Sequence, residues 1–251
     1  MAEAKALPGP GKLSDKPGAW VDLGLTLPIF LVYHVGVVFL RVQNATDIVT
    51  APLLRLAEGN RTAYVGITAA IGLAFATVFW FVGRGHALRP KKFAQIAVEG
   101  VVYAFLMRFG AAFAVGKLFA GNIKDEGKLV GLVMSLGAGF YEELAFRVVL
   151  FGLGAKLLVW LVAKERLGLI GQTARPSMRA MMLMFIWSFV SAAVFSSVHY
   201  VGAYGEAFQI ASFSFRMFLG LALTLIYVTR GFAAAVWTHA LYDVWVLVLP
   251  H

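Results

Sequence analysis

The chain contains no cysteine and few charged residues, and each absence narrows its class. Without cysteine it has no disulfide, no thiolate nucleophile and no cysteine-ligated metal. Charged residues make up 14% of the 251 residues and hydrophobic residues 60%, whereas a soluble domain has about 25% charged residues. Because the apolar residues come in long runs, the sequence predicts an all-α, polytopic transmembrane helical bundle of seven to eight spans with an intramembrane active site.

Two catalytic motifs are also absent from the sequence. The chain has no Gly-x-Ser-x-Gly motif, which speaks against a serine nucleophile. It has no His-Glu-x-x-His motif either, so residue spacing alone does not decide whether a metal is bound.

The distribution of charge predicts domain organisation and orientation. Residues 1–20 are rich in lysine, glycine and proline and are predicted to form a disordered tail before a single transmembrane domain, residues 21–251. Lysine and arginine number twelve in the loops on the side of the N-terminus and six on the other side. The positive-inside rule therefore predicts a cytoplasmic N-terminus, and these loops explain the net charge of +9 without a nucleic-acid partner. The lack of cysteine and the plain tail favour a prokaryotic plasma membrane; the oligomeric state is left open.

One apolar stretch, Leu129 to Ala163, carries an unusual concentration of charge at Glu142, Glu143 and Arg147. A charged side chain near the bilayer centre costs about 2.5–3.5 kcal/mol on insertion scales, so these three need a reason. Arg147 follows Glu143 by four residues on the same helix face and can neutralise that carboxylate. Glu142 is then the spare carboxylate and the candidate for chemistry.

The same stretch is too long for a simple span. Its 35 residues would reach about 52 Å as an α-helix, against a hydrocarbon core of about 30 Å. We expect the element to tilt strongly, extend beyond the bilayer or break at one of its glycines, which stand at positions 137, 139, 152 and 154. Residues 41–61, earlier in the chain, are mixed in polarity and predict a loop or interfacial segment.

Two further polar groups interrupt apolar spans, Phe195-Ser-Ser-Val-His199 and His239-Ala-Leu-Tyr-Asp243. The i,i+4 spacing places both ends of each group on one helix face, so His239 and Asp243 can point together into the bundle. A buried carboxylate with imidazoles beside it can activate a water molecule and stabilise an oxyanion. The same four residues, Glu142, His199, His239 and Asp243, are also an acceptable zinc set. Buried polar residues can also simply join helices, which is our expectation for His34, Glu99, Arg108 and Arg216.

These motifs, in this order, resemble the CPBP family of intramembrane proteases, which includes the type II CAAX prenyl endopeptidases and bacteriocin-processing proteins. The resemblance covers about residues 130–249 and includes a glycine-containing stretch from Phe218 to Gly231 before the last histidine. It implies that Glu142 is the catalytic glutamate and His199 its water-holding partner. It further implies that His239 and Asp243 support the tetrahedral intermediate, and that Glu143 and Arg147 form a supporting ion pair.

The sequence departs from the family pattern at two positions. Val148 stands where the family often has glycine, and Asp243 stands where the prenyl proteases have asparagine. An ionised carboxylate would repel an oxyanion, so Asp243 must be protonated, bind a metal or orient His239.

The resulting hypothesis is an intramembrane endopeptidase, a hydrolase that cleaves a peptide bond near a membrane-embedded or lipid-modified segment. Its expected partners are the lipid bilayer and a membrane protein or lipid-modified peptide substrate. No cofactor is required in the glutamate-dependent reading, whereas the alternative is a metal-dependent protease that uses zinc on the same residues. A proton-coupled transporter and a non-catalytic, immunity-type membrane protein are the alternatives from other classes.

Overall fold

The computed structural model describes residues 18–83, 89–116, 127–167, 176–202 and 205–249. Most of the predicted N-terminal tail lies outside these ranges. Within them the chain is helical. The elements are α1 (Ala19–Leu40), α2 (Thr50–Leu56), α3 (Arg61–Gly83), α4 (Pro90–Val115), α5 (Lys128–Gly137), a π-helical segment (Ala138–Leu153), α6 (Gly154–Ala163), α7 (Met178–Ser197), a 3₁₀ turn (Val198–Tyr200), α8 (Ile210–Arg230) and α9 (Phe232–Leu247).

The bundle confirms the predicted polytopic helical architecture. Six helical runs in the described ranges are long and apolar enough to cross a membrane, and α9 is a shorter apolar helix of 16 residues. The predicted loop or interfacial segment at residues 41–61 contains the short helix α2. The predicted orientation and membrane of origin stay predictions.

The long charged element does not break at its glycines. From Lys128 to Ala163 it continues as one helical run of 36 residues, but its winding changes from α to π between Ala138 and Leu153. The four glycines stand at the two ends of this π segment. A π-helix closes i→i+5 hydrogen bonds, is rare, and is frequent at functional sites. Glu142, Glu143 and Arg147 therefore all lie in the irregularly wound part.

Close helix approaches fix the π segment between α1 and α9. A Cβ atom built on Gly137 would lie 2.2 Å from the ring of Tyr33 in α1, and one built on Gly139 would lie 2.7 Å from the Cβ of Ala240 in α9. Only glycine permits these approaches. One core cluster joins the same three elements through residues that include Phe30, Phe140 and Val236. The functional side chains are thus presented on packed helices.

Helix α9, which carries His239, is anchored at its start. Asp22 of α1 accepts a hydrogen bond from the backbone N–H of Ala233 at 3.0 Å, and Trp237 donates to the backbone oxygen of Leu25 at 3.2 Å. An acidic side chain at a helix N-terminus satisfies an otherwise unpaired N–H group. The N-terminal span therefore sets the position of α9.

The four polar residues expected to have structural roles have partners inside the bundle. Glu99 pairs with Arg230 at 2.7 Å, and Arg216 pairs with Glu206 at 2.7 Å. The guanidinium of Arg108 lies 5.1 Å from the centre of the Trp245 ring. His34 lies between the hydroxyls of two tyrosines, described below.

Candidate active site

Glu143 and Arg147 form a buried ion pair within the π segment. The Arg147 Nη1 atom lies 3.1 Å from Glu143 Oε1, and the two residues are at most 1% exposed. The guanidinium also stacks on the Phe195 ring of α7, with 4.3 Å between the guanidinium carbon and the ring centre. The pair therefore ties the π segment to α7 as well as neutralising charge.

Glu143 has a second partner that the sequence did not indicate. Its Oε1 atom accepts a hydrogen bond of 2.7 Å from Nδ1 of His239 in α9. Since Nδ1 is engaged, the Nε2 edge of the imidazole faces the remaining carboxylates. The close approach at Gly139 makes this contact between the two helices attainable.

Two more carboxylates surround the free edge of His239. Glu142 Oε2 lies 3.9 Å from Nε2, and Asp243 Oδ2 lies 3.6 Å from the same atom. Both distances allow charge interaction but exceed a hydrogen bond. The side chains of Glu142 and Asp243 are 12% and 18% exposed, so this edge of the site is the more accessible one.

His199 stands beside this group without bonding to it directly. It lies in the 3₁₀ turn after α7, where its Nδ1 atom is 3.0 Å from the backbone oxygen of Phe195. The Phe195 ring packs edge-on against His199 and His239, with centres 5.4 and 6.1 Å away. Within the part of the chain that the structure describes, no hydrogen bond joins His199 to Glu142. A water molecule between them would be needed for His199 to assist Glu142.

The turn that carries His199 is itself held in place. The backbone oxygen of His199 accepts a hydrogen bond of 2.9 Å from the N–H of Glu206. Both carboxylate oxygens of Glu206 accept hydrogen bonds from Nη2 of Arg216. Arg216 also donates to the hydroxyl of Tyr200 at 3.1 Å. Arg216, for which the sequence predicts a structural role, thus supports the turn that carries a candidate site residue.

Sequence reasoning missed one residue that contacts Glu142. Asn44, in the connection between α1 and α2, donates a hydrogen bond from Nδ2 to Glu142 Oε1 at 3.2 Å. The cluster Asn44-Ala-Thr46-Asp47 directly after an apolar span is the one sequence signal that could have drawn attention to it. Nothing in the sequence indicates which of the distant carboxylates it would reach.

The side chains do not form a ready metal site. Zinc ligand atoms lie about 2.0–2.2 Å from the ion, which requires the donors to converge on one point. Among the described residues, no group of three or more histidine, aspartate and glutamate side chains is placed to hold a metal ion. The predicted zinc set of Glu142, His199, His239 and Asp243 does not fit a metal in this arrangement.

In a comparison with known proteins, a family model matches the C-terminal part of the chain. Residues 126–245 match the model of the Rce1-like family, described as type II CAAX prenyl endopeptidase Rce1-like. No curated protein and no solved structure matches the chain. The matched segment holds the π segment, both site histidines and Asp243, but not Asn44. This match over residues 126–245 supports a CPBP family intramembrane protease.

Proposed function

We propose that this protein cleaves a lipid-modified, CAAX-type peptide within the membrane by a glutamate-activated water, with no metal in the reaction. The observation that carries the proposal is the arrangement of Glu142, Glu143 and Asp243 around one imidazole, inside a segment that matches the endopeptidase family. The family match supports a membrane-embedded peptidase. The roles of single residues are our inference.

The charges of the site point to Glu142 as the base. Arg147 compensates Glu143, and a doubly protonated His239 would be compensated by Glu143 and Asp243 together. Among the three carboxylates, Glu142 then lies farthest from a cationic partner, at 3.9 Å from His239 Nε2 against 3.6 Å for Asp243 and 2.7 Å between Glu143 and Nδ1. Such a carboxylate in a mostly buried site is suited to accept a proton from water.

The reaction follows from these positions. Glu142 takes a proton from water while the water oxygen forms a bond to the peptide carbonyl carbon. The carbonyl oxygen becomes an oxyanion, which His239 stabilises by donating a hydrogen bond from Nε2–H. When the C–N bond breaks, the departing amine takes the proton that Glu142 holds, and the other product is a carboxylic acid. This acid becomes the new carboxylate by passing its hydroxyl proton to the amine, which leaves as an ammonium ion.

Asp243 acts through His239 in this scheme. At 3.6 Å from Nε2 it does not lie on the other nitrogen, which Glu143 occupies. Its negative charge stabilises the imidazolium form of His239 before the oxyanion forms. Of the three roles that the sequence left open for Asp243, orientation of His239 is supplied by the Glu143 hydrogen bond. We therefore propose that Asp243 acts on His239 through its charge.

The experiment is a cleavage assay in detergent or liposomes with a fluorogenic, prenylated CAAX peptide. We expect the wild-type protein to cleave it and Glu142→Gln to lose activity by at least about 10³-fold, since general-base catalysis contributes about 10²–10⁴-fold. Gln preserves the size of Glu and removes only its basicity. Full activity of Glu142→Gln would overturn the assignment, and ion flux in liposomes without cleavage would favour the transporter alternative.

A further inference from the structure

Asn44 is placed against the proposed base by a part of the chain that lies outside the family match. It is 6% exposed, and its amide donates to Glu142 Oε1 at 3.2 Å. Across the described ranges, no other side chain donates a hydrogen bond to this carboxylate. The remaining neighbour, His239 Nε2, is 3.9 Å away.

The orientation of the Asn44 amide is determined by its other atoms. Its Oδ1 accepts from the backbone N–H of Thr46 at 2.8 Å and from the Thr46 hydroxyl at 2.5 Å. Because the backbone N–H of Thr46 can only donate, the atom that it contacts is the amide oxygen, and the NH₂ group is the one directed at Glu142. The backbone N–H of Asn44 donates in turn to the hydroxyl of Tyr33 at 2.9 Å.

A buried polar network fixes the connection that carries Asn44. The Tyr33 hydroxyl donates to Asp47 Oδ2 at 2.8 Å. The other oxygen of Asp47 accepts from the backbone N–H groups of Val49 and Thr50, each at 2.9 Å, at the start of α2. The Thr50 hydroxyl contacts both Asp47 and, at 3.2 Å, the hydroxyl of Tyr64 in α3.

The network returns to the π segment next to Glu142. His34 lies between two tyrosines, with Nδ1 at 2.6 Å from the Tyr64 hydroxyl and Nε2 at 2.6 Å from the Tyr141 hydroxyl. Tyr141 immediately precedes Glu142. Thr46 in this network is half-buried, and the other side chains are buried: Tyr33, His34, Asn44, Asp47, Thr50, Tyr64 and Tyr141. A fully satisfied buried network of this kind rigidifies its surroundings.

We infer that Asn44 is a positioning residue, which holds the Glu142 carboxylate in its productive orientation. A glutamate side chain has several rotatable bonds, and its free rotation must be restricted before it can act as a base in one direction. Asn44 binds Oε1 and leaves Oε2 directed at the His239 edge, where water and the carbonyl would meet. The N-terminal helices thus complete a site whose motifs all lie in residues 126–245. This inference rests on the proposed function for its kinetic test.

The kinetic test uses Asn44→Asp, which keeps the size and the acceptor for Thr46 but replaces the donor to Glu142 by an oxygen. We expect kcat to fall by about 10–100-fold, which is the effect of losing a hydrogen bond to a charged group. We expect KM to change by less than about twofold, because Asn44 acts on the base and not on substrate binding. Asn60→Ala is the matched control, since Asn60 accepts a bond from Ala63 N–H at an exposed helix start. An Asn44→Asp enzyme with wild-type kcat, whether or not its KM is raised, would overturn the inference.

A second measurement is independent of activity and of the proposed reaction. The infrared difference between wild type and Glu142→Gln isolates the carboxylate stretch of Glu142, and the same difference is taken in an Asn44→Ala background. We expect the antisymmetric stretch to shift when the Asn44 donor is absent. An unshifted band would overturn the positioning role even if no CAAX peptide is cleaved, whereas a shifted band with no cleavage would refute only the proposed function.

Discussion

Gly139→Ala tests whether the close approach of the π segment to α9 assembles the site. The added Cβ would lie 2.7 Å from the Ala240 Cβ, 2.9 Å from the Ala240 nitrogen and 2.9 Å from the Val236 oxygen. Two of these atoms belong to the backbone of α9, which cannot turn aside as a side chain can. Because the shortest ordinary carbon contacts are about 3.4 Å, α9 must retreat by about 0.5–0.7 Å.

The consequence for catalysis follows from the position of His239. It immediately precedes Ala240 and bonds Glu143 across this contact at 2.7 Å. A displacement approaching 1 Å near a reacting centre can cost about 10²-fold in rate. We therefore expect kcat of Gly139→Ala to fall by about 10–100-fold, and overpacking to lower the free energy of unfolding by about 1–3 kcal/mol.

The assay is cleavage of the prenylated peptide together with thermal unfolding in detergent. Gly66→Ala is the matched control, because a Cβ at this helical glycine of α3 meets nothing within 4 Å. It should keep wild-type activity and gain slightly in stability. Adding Ala240→Gly to Gly139→Ala removes the shortest contact and should restore part of kcat. Wild-type activity and stability in Gly139→Ala would refute the reasoning.

Three further predictions address the ion pair, the orientation and the metal. Arg147→Met leaves Glu143 buried without its cation, so the free energy of unfolding should fall by about 3–5 kcal/mol in the detergent unfolding assay. Adding Glu143→Gln should recover part of this loss. Equal stability of Arg147→Met and wild type would contradict the prediction. Because the chain has no cysteine, single exposed cysteines can report its orientation in the membrane. If the N-terminus is cytoplasmic, Ala45→Cys should react with a membrane-impermeant maleimide in intact cells, and Lys91→Cys should react only after permeabilisation. The reverse pattern would show the opposite orientation. Peptidase activity should survive exhaustive chelation with metal content checked by mass spectrometry, whereas loss of activity that zinc restores would refute the metal-free reaction.

Much of the fold could be predicted because hydrophobic runs alone determine where a chain can cross a bilayer. The apolar stretch Leu129–Ala163 matches the helical run Lys128–Ala163 to within one residue, and the ion pair of Glu143 with Arg147 follows from i,i+4 spacing. The two i,i+4 motifs also lie in the same helical bundle, and Asp243 lies beside His239. These are local consequences of sequence.

The rest depends on contacts between distant residues. The glycines at 137, 139, 152 and 154 indicated a possible break, but the helix continues with π winding. Gly137 and Gly139 instead allow close packing against Tyr33 and Ala240. Glu143 was assigned to Arg147 alone, since spacing within one helix cannot reveal a hydrogen bond to His239 in α9. Asn44 and Glu142 are 98 positions apart, and their contact arises only when α1 packs against the π segment.

The same packing explains why the N-terminal spans matter to a site encoded in the second half. Tyr33 is in contact range of Gly137, bonds the Asn44 backbone and reaches Asp47. Substitutions in α1 that loosen this corner should therefore reduce activity without touching a family motif.

Product analysis by mass spectrometry in H₂¹⁸O tests the central claim most directly. Wild-type protein and Glu142→Gln are incubated with the prenylated CAAX peptide, and the new carboxylate is examined. Activation of water by Glu142 predicts that one ¹⁸O atom enters this carboxylate in the wild-type reaction and that Glu142→Gln yields no product above background. Cleavage by Glu142→Gln at the wild-type rate, with the same ¹⁸O incorporation, would contradict the account.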